Sequence, residues 1–424
     1  MPSTQLTKNG LRVVTHEMPH MRSASCTIWI GAGARYEAQE INGISHFIEH
    51  LLFKGTRKRA SNLKISQAIE GVGGSINGFT DKEATCYLVK VPANEFSLGI
   101  DVLSDIVLNS LFTEEAIEKE RGVIIEEIKM SRDRADSWVH ILLEDMIWPN
   151  HPMGRSTAGT LDSVAGMTRD TILDYYKSFY HPGNIVVSVA GNVKQEEVVH
   201  AVSGLFEGKK GYGENTFQPV DDKANGPLIK IETRDTKQAN VALGFPGYSR
   251  LHPRRYVLEL LDFILGQGMS SRLFQEVRVE RGLAYSVGSQ YSPYLDTGIL
   301  RIYAGVDPEK TKDTISVILN ELSKMKEAPV TYDELRMAKD FVKGSLSLRL
   351  EDTLSLALRN GGHMILLGKI ISVEEVLRKI DAVTLDEIQY VAGEILKKEK
   401  LSLAVIGPFD EGNTLTEVVE LSML

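Results

Sequence analysis

His46, Glu49 and His50 lie in the run Gly43-Ile44-Ser45-His46-Phe47-Ile48-Glu49-His50-Leu51-Leu52-Phe53. Positions i, i+3 and i+4 of a helix share one face, so the three side chains point together. Two imidazoles one turn apart can hold a zinc ion, and a carboxylate beside them can take a proton from a metal-activated water. The competing reading is two polar residues on the edge of a core helix. A third ligand and a supporting architecture separate the two.

A catalytic zinc usually takes three protein ligands and leaves one position open. The third is sought in Glu120-Arg121-Gly122-Val123-Ile124-Ile125-Glu126-Glu127. Glu120 and Glu127 are seven apart and lie on nearly the same helical face, whereas Glu126 is turned about 100° from Glu127. A helix with one ligating and one supporting carboxylate would use Glu120 and Glu127. Glu114, Glu115 and Glu118 read as a solvated acidic face. The order His-x-x-Glu-His inverts the His-Glu-x-x-His pattern of metal-dependent peptidases. His16, His20, His140, His151, His181, His200, His252 and His363 show no second ligand at a useful spacing and read as surface or loop histidines.

Elements that could position these residues follow from periodicity. Strands are expected at 10–16, 24–31, 75–80, 84–91 and 185–191. Helices are expected at 43–53, 63–70, 95–109, from Thr113 to about Arg132, and at 138–148, 168–179 and 195–206. Thr113 stands as N-cap of the long helix, with acidic residues in its first turn.

The second half repeats this order. Strand 239–245 answers 24–31, helix 253–265 answers the motif helix, and helix 271–279 answers 63–70. Strands 284–291 and 297–306 answer 75–80 and 84–91. The offset stays at roughly 210–218 residues, the mark of a duplication. The helix equivalent to the motif reads Val257-Leu258-Glu259-Leu260-Leu261-Asp262-Phe263, without histidine. Only one half can bind metal through this motif. The expected organisation is a catalytic zinc-binding domain at 1–210, a linker at 211–227, and a similar domain at 228–424. The fold class expected is α+β, with two similar domains, each a mainly antiparallel sheet covered by helices.

Length and composition agree. The chain has 424 residues, 42% apolar and 25% charged, enough for two cores. A net charge of −9 without a basic cluster argues against nucleic-acid binding. The two cysteines, Cys26 and Cys86, sit in strand-like stretches and read as buried free thiols. The start lacks the pattern of a signal peptide, and no apolar run is long enough to span a membrane. A cytoplasmic location is expected.

These residues resemble the pitrilysin family of inverted-motif zinc peptidases, especially bacterial proteins similar to the β subunit of the mitochondrial processing peptidase. The likeness covers the zinc motif, Glu120-(x6)-Glu127, Ser75-Ile76-Asn77-Gly78-Phe79-Thr80, Tyr180-His181-Pro182-Gly183-Asn184 and Arg278-Val279-Glu280-Arg281-Gly282-Leu283-Ala284-Tyr285. It implies His46, His50 and Glu127 as ligands of one Zn2+ per chain, Glu49 as general base and Glu120 as a supporting acid. It implies that Arg278 and Tyr285 reach the peptide substrate and help stabilise the tetrahedral intermediate, and that Asn77 and Gly78 mark the edge strand along which an extended peptide lies. Where the family's non-catalytic subunits carry a long Gly-rich loop, this chain has only Leu265-Gly266-Gln267-Gly268-Met269-Ser270-Ser271, so it resembles a catalytic subunit.

The implied activity is zinc-dependent endopeptidase cleavage of unfolded peptides or oligopeptides. The implied partner is a second copy of the chain, or a related chain in a heterodimer. Two other readings stand beside it: a non-catalytic subunit of a processing-peptidase-like complex, and a structural zinc site in a non-enzyme.

Overall fold

A computed structural model describes residues 2–211, 216–221, 226–409 and 415–421. The linker expected at 211–227 lies partly outside these residues. The chain forms two compact units. The first comprises Met1–Ile128, Ser156–Gln218 and Leu346–Ser372; the second comprises Lys129–Arg155, Pro219–Ser345 and Val373–Leu424.

The first unit is built on six strands: β1 (Ser3–Leu6), β2 (Arg12–Glu17), β3 (Ser23–Ile30), β4 (Ser75–Thr80), β5 (Thr85–Pro92) and β6 (Ile185–Gly191). Their order is β1-β2-β6-β3-β5-β4. Only β2 and β6 run parallel. Strand side chains alternate between faces. In β3, Cys26, Ile28 and Ile30 therefore enter one core while Trp29 enters another. The larger core lies under α1 (Ile44–Leu52), α2 (Asn62–Glu70), α3 (Phe96–Asn109) and the first part of α4 (Glu114–Asp133). The opposite face is covered by the helix Thr353–Leu367. That helix comes so close that a Cβ on Gly361 would lie 2.3 Å from Trp29 Nε1.

The second unit has five strands: β7 (Leu228–Thr233), β8 (Ala239–Gly247), β9 (Ala284–Pro293), β10 (Gly298–Val306) and β11 (Ser402–Gly407). Their order is β7-β11-β8-β10-β9, and only β7 and β11 run parallel. Strand for strand this repeats β2-β6-β3-β5-β4, so the duplication is visible in topology as well as in spacing. Both sheets are mainly antiparallel and helix-covered, as an α+β fold requires.

The units do not follow a single cut at residues 211–227. The helix Ala135–Ile147, just after α4, packs on the second unit's sheet. There Leu143 and Ile147 fill the space that a Cβ on Gly244 would occupy. The equivalent helix of the second half, Thr353–Leu367, packs on the first unit's sheet. Periodicity points to the first of these helices, expected at 138–148, and not to the second, and it carries no information about which sheet receives either.

Cys26 and Cys86 are buried and free, on opposite faces of neighbouring strands.

Candidate metal centre

Helix α1 is amphipathic in a way that fixes its orientation. Ile44, Phe47, Ile48, Leu51 and Leu52 are buried, which turns His46, Glu49 and His50 to the other side. Its start has an unusual cap. Gly43, at φ 94°, offers no side chain to the free N–H groups. Glu37 takes over from outside the helix: one carboxylate oxygen accepts from Gly43 N at 2.6 Å and Asn42 Nδ2 at 3.0 Å, the other from Ser45 N at 2.9 Å. A carboxylate here also complements the helix dipole.

Helix α4 contributes Glu120 and Glu127. Ile117, Glu120, Ile124 and Ile128 form its buried stripe, so Glu120 is a carboxylate in a core-facing position. Glu127 is on the same side but its side chain is 41% exposed.

Among the described residues, one group of His, Cys, Asp and Glu side chains is close enough to hold a metal ion: His46, His50 and Glu127, with one donor from each within 4.8 Å of the others. Glu127 Oε2 stands 3.9 Å from His46 Nε2 and 3.8 Å from His50 Nε2. Tetrahedral bonds of ~2.0 Å place donors ~3.3 Å apart, so the Glu127 oxygen needs to draw in by about 0.5 Å toward each imidazole. Two imidazoles and a carboxylate without thiolate is the donor set of an open catalytic zinc site. These residues fit the metal.

The two imidazoles differ in protonation. Burial, helped by the neighbouring His50, pulls the His46 pKa down to about 4 and leaves its imidazole neutral at pH 7. Burial acts the same way on His50, but the hydrogen bond to Glu120 and the charges of Glu49, Glu120 and Glu127 outweigh it and raise the value. That hydrogen bond joins His50 Nδ1 and Glu120 Oε1 at 2.8 Å. In the neutral ring with its proton on Nδ1, Nε2 has its lone pair toward Glu127, so a metal at this site competes with a proton for His50. Burial would raise Glu120 too, but His50 and Lys54 hold it below the ordinary carboxylate range.

Glu49 is half-buried beside the donors. Burial raises its pKa, opposed by a hydrogen bond from Thr80 and by the charge of His50. A raised carboxylate pKa suits a group that must both accept and return a proton. Its neighbour is the edge strand β4: a Cβ on Gly78 would lie 3.3 Å from Glu49 Cγ and Oε1. Asn77 is exposed on the same strand, and its Oδ1 accepts from Gly78 N at 2.9 Å.

Arg278 and Tyr285 belong to the second unit. Arg278 is on a π-helical segment, Phe274–Glu280, and Tyr285 is the second residue of the edge strand β9. The Arg278 guanidinium lies 5.2 Å from the centre of the Tyr285 ring and 5.0 Å from that of Phe274. Tyr285 is 77% exposed. A π-helical turn costs backbone geometry and is found often at functional positions.

Sequence spacing points to His46, Glu49, His50, Glu120 and Glu127, but not to Glu37 or Thr80, which act from a loop and a strand that no periodicity links to the motif. Lys54 falls one turn past His50, but nothing in that spacing names Glu120 as its partner. The remaining signal is chemical type: an acid ahead of a helix lacking a side-chain cap, a base after a histidine, and a hydroxyl on the neighbouring strand.

Residues 12–161 match the family described as Insulinase (Peptidase family M16), and residues 166–342 match the Peptidase M16 inactive domain. An uncharacterized zinc protease of Streptomyces coelicolor is 41% identical over 95% of this chain and 88% of its own length. One of Bacillus subtilis is 38% identical over 95% of this chain and 97% of its own. Among solved structures, a protease from Helicobacter pylori superimposes with a TM-score of 0.90 at 22% identity, covering 96% of this chain and 99% of that one. A peptidase M16 inactive domain from Pseudomonas fluorescens does so with a TM-score of 0.89 at 18% identity, covering 97% and 99%. No helix among the described residues is long and apolar enough to cross a membrane. Fold, metal-donor set and extended sequence identity agree, and the chain belongs to the insulinase family, peptidase family M16.

Proposed function

We propose that this protein is a zinc-dependent endopeptidase that cleaves unfolded peptides or oligopeptides. The observation that carries the reading is the convergence of His46, His50 and Glu127 donors beside Glu49. Bound there, zinc would supply an electrophile for the scissile carbonyl and lower the pKa of water to ~7.

The chain's own residues do the rest. Glu49 takes the proton of the attacking water as the new C–O bond forms. It then delivers that proton to the amine as the C–N bond breaks, so the carboxylate is regenerated. Thr80 holds one Glu49 oxygen in place through its hydroxyl. Glu120 keeps His50 oriented. The edge strand β4 can add an extended peptide by main-chain pairing, and Gly78 leaves the backbone free of side-chain bulk next to Glu49. Arg278 and Tyr285 would hydrogen-bond the peptide carbonyl and the oxyanion. Two identical chains would supply every part; a heterodimer with a related chain is the alternative assembly.

The test combines metal analysis with cleavage of a quenched peptide, with and without chelator. About one zinc per chain and chelator-sensitive cleavage restored by zinc are expected. Glu49→Gln should keep the metal and lose cleavage. Metal without cleavage in the wild-type chain would instead support a non-catalytic subunit, and an active Glu49→Gln variant would remove Glu49 from the base role.

A further inference from the structure

Glu120 divides its carboxylate between two partners. Oε1 is 2.8 Å from His50 Nδ1, and Oε2 is 2.7 Å from Lys54 Nζ. The Glu120 side chain is only 2% exposed, so both oxygens depend on these contacts for the hydrogen bonding that water would otherwise give. His50 and Lys54 are four residues apart. Lys54 stands just past the end of α1, with its N–H donating to Leu51 O at 3.0 Å, and it continues the face that carries His50. One carboxylate on α4 thereby clasps two consecutive turns of the motif segment.

We infer that Lys54 is a positioning residue of the metal centre: through Glu120 it fixes the orientation and tautomer of His50, so that Nε2 stays presented to the metal.

The reasoning is one of paired charges. Glu120 can orient the His50 ring through Nδ1 only with a fixed rotamer. A buried carboxylate with one free oxygen is costly, and it relaxes by turning away. Lys54 removes that escape, because its ammonium satisfies Oε2 and supplies the opposite charge. Its own side chain is 33% exposed, so its charge keeps contact with water and the pair avoids full desolvation. An ordinary exposed ion pair contributes little. This one differs because the shared acid is buried and its other oxygen already holds a candidate metal ligand. A carboxylate that hydrogen-bonds a ligating histidine changes metal affinity by ~10–100-fold when removed, and Lys54 acts on that carboxylate.

The inference rests on the zinc-site reading, and a binding measurement separates the two. Apparent zinc affinity of the full chain is read by competition with a chromophoric chelator. The proteins compared are the wild type, Lys54→Met, Lys54→Arg, Glu120→Gln and the Lys54→Met/Glu120→Gln double variant. Lys54→Met should weaken zinc by up to ~10-fold, with Lys54→Arg recovering part of that loss, because it restores the charge but in a planar fork instead of a point charge. In the Glu120→Gln background, Lys54→Met should have almost no further effect, since the path runs through Glu120. Apo-protein melting curves establish that each variant is folded. A Lys54→Met variant that binds zinc as wild type does overturns the inference alone. So does a penalty that persists undiminished in the Glu120→Gln background. A wild-type chain that takes up no zinc overturns the metal-site reading and the inference with it.

Discussion

The hydroxyl of Thr80 donates a 2.9 Å hydrogen bond to Oε2 of Glu49, tying the edge strand β4 to the acid of the zinc motif. Thr80 Oγ1 in turn is 3.5 Å from Thr85 Oγ1, whose hydroxyl donates to Ala32 O at 2.9 Å. The base is therefore held by a neighbouring strand as well as by its own helix. Hydrogen bonds to charged groups contribute about 1.5–3 kcal/mol. Thr80→Val, which keeps the shape and removes the donor, should lower kcat about tenfold or more. Thr80→Ser should restore most of it. Steady-state kinetics on one peptide substrate decide this, and an unchanged kcat in Thr80→Val would release Glu49 from Thr80.

Gly78 faces the same acid from the same strand. A Cβ there would sit 3.2 Å from Phe53 Cε2 and 3.3 Å from Glu49 Oε1. Alanine demands a small shift of both neighbours, and valine a larger one. Because a misplacement near 1 Å can cost ~100-fold, Gly78→Val should reduce kcat/KM by at least tenfold, with Gly78→Ala intermediate. Since β4 is an edge strand, the melting temperature should fall only slightly. Full activity in Gly78→Val would mean that this approach is not used.

How far the fold and site can be read from the sequence depends on the range of the signal. The motif helix is legible because Ile44, Phe47, Ile48 and Leu51 recur at helical period opposite His46, Glu49 and His50. The duplication is legible because each half repeats its strands and helices at one offset, and the shared strand orders agree with it. The helices Ala135–Ile147 and Thr353–Leu367 show what is not legible. The amphipathic pattern of the first says that it buries one face, but Gly244 and Gly361, at the two close approaches, are not named by any local pattern. Glu37 and Lys54 are hidden for the same reason, since their roles arise from contacts across loops and between helices. Glu127 lies between these cases: its phase with Glu120 is local, but its approach to His46 and His50 requires the tertiary fold.

His140 offers a test of buried charge away from the metal centre. On the helix Ala135–Ile147, its ring lies 6.1 Å from that of Tyr303. Burial, together with Arg301, lowers its pKa below 6.5, against the opposing charges of Glu144 and Asp136. As pH falls through about 6.5, the unfolded chain takes up the proton first. The stability this residue contributes is thus complete above that value and is lost on acidification. Urea midpoints at pH 7.5 and pH 5.5 should fall less in His140→Phe than in wild type. Equal losses in the two proteins would show that His140 does not contribute to acid sensitivity.

Tyr285 carries the prediction that reaches into the second half. A tyrosine 77% exposed at the start of an edge strand contributes little to a core. The Arg278 guanidinium lies 5.2 Å from the centre of its ring. Cation–π contacts at exposed sites are worth roughly 0.5–1 kcal/mol, too little to explain the pair by stability. If the phenol donates to the developing oxyanion, Tyr285→Phe removes one donor used mainly in the transition state. The expected loss is ~10²–10³-fold in kcat, with KM changed far less. Thermal unfolding should be unaltered, because the ring and its contact with Arg278 remain. A loss confined to KM would make Tyr285 a substrate-binding residue only. Unchanged kinetics would remove it from the site and leave the chemistry to the first half of the chain.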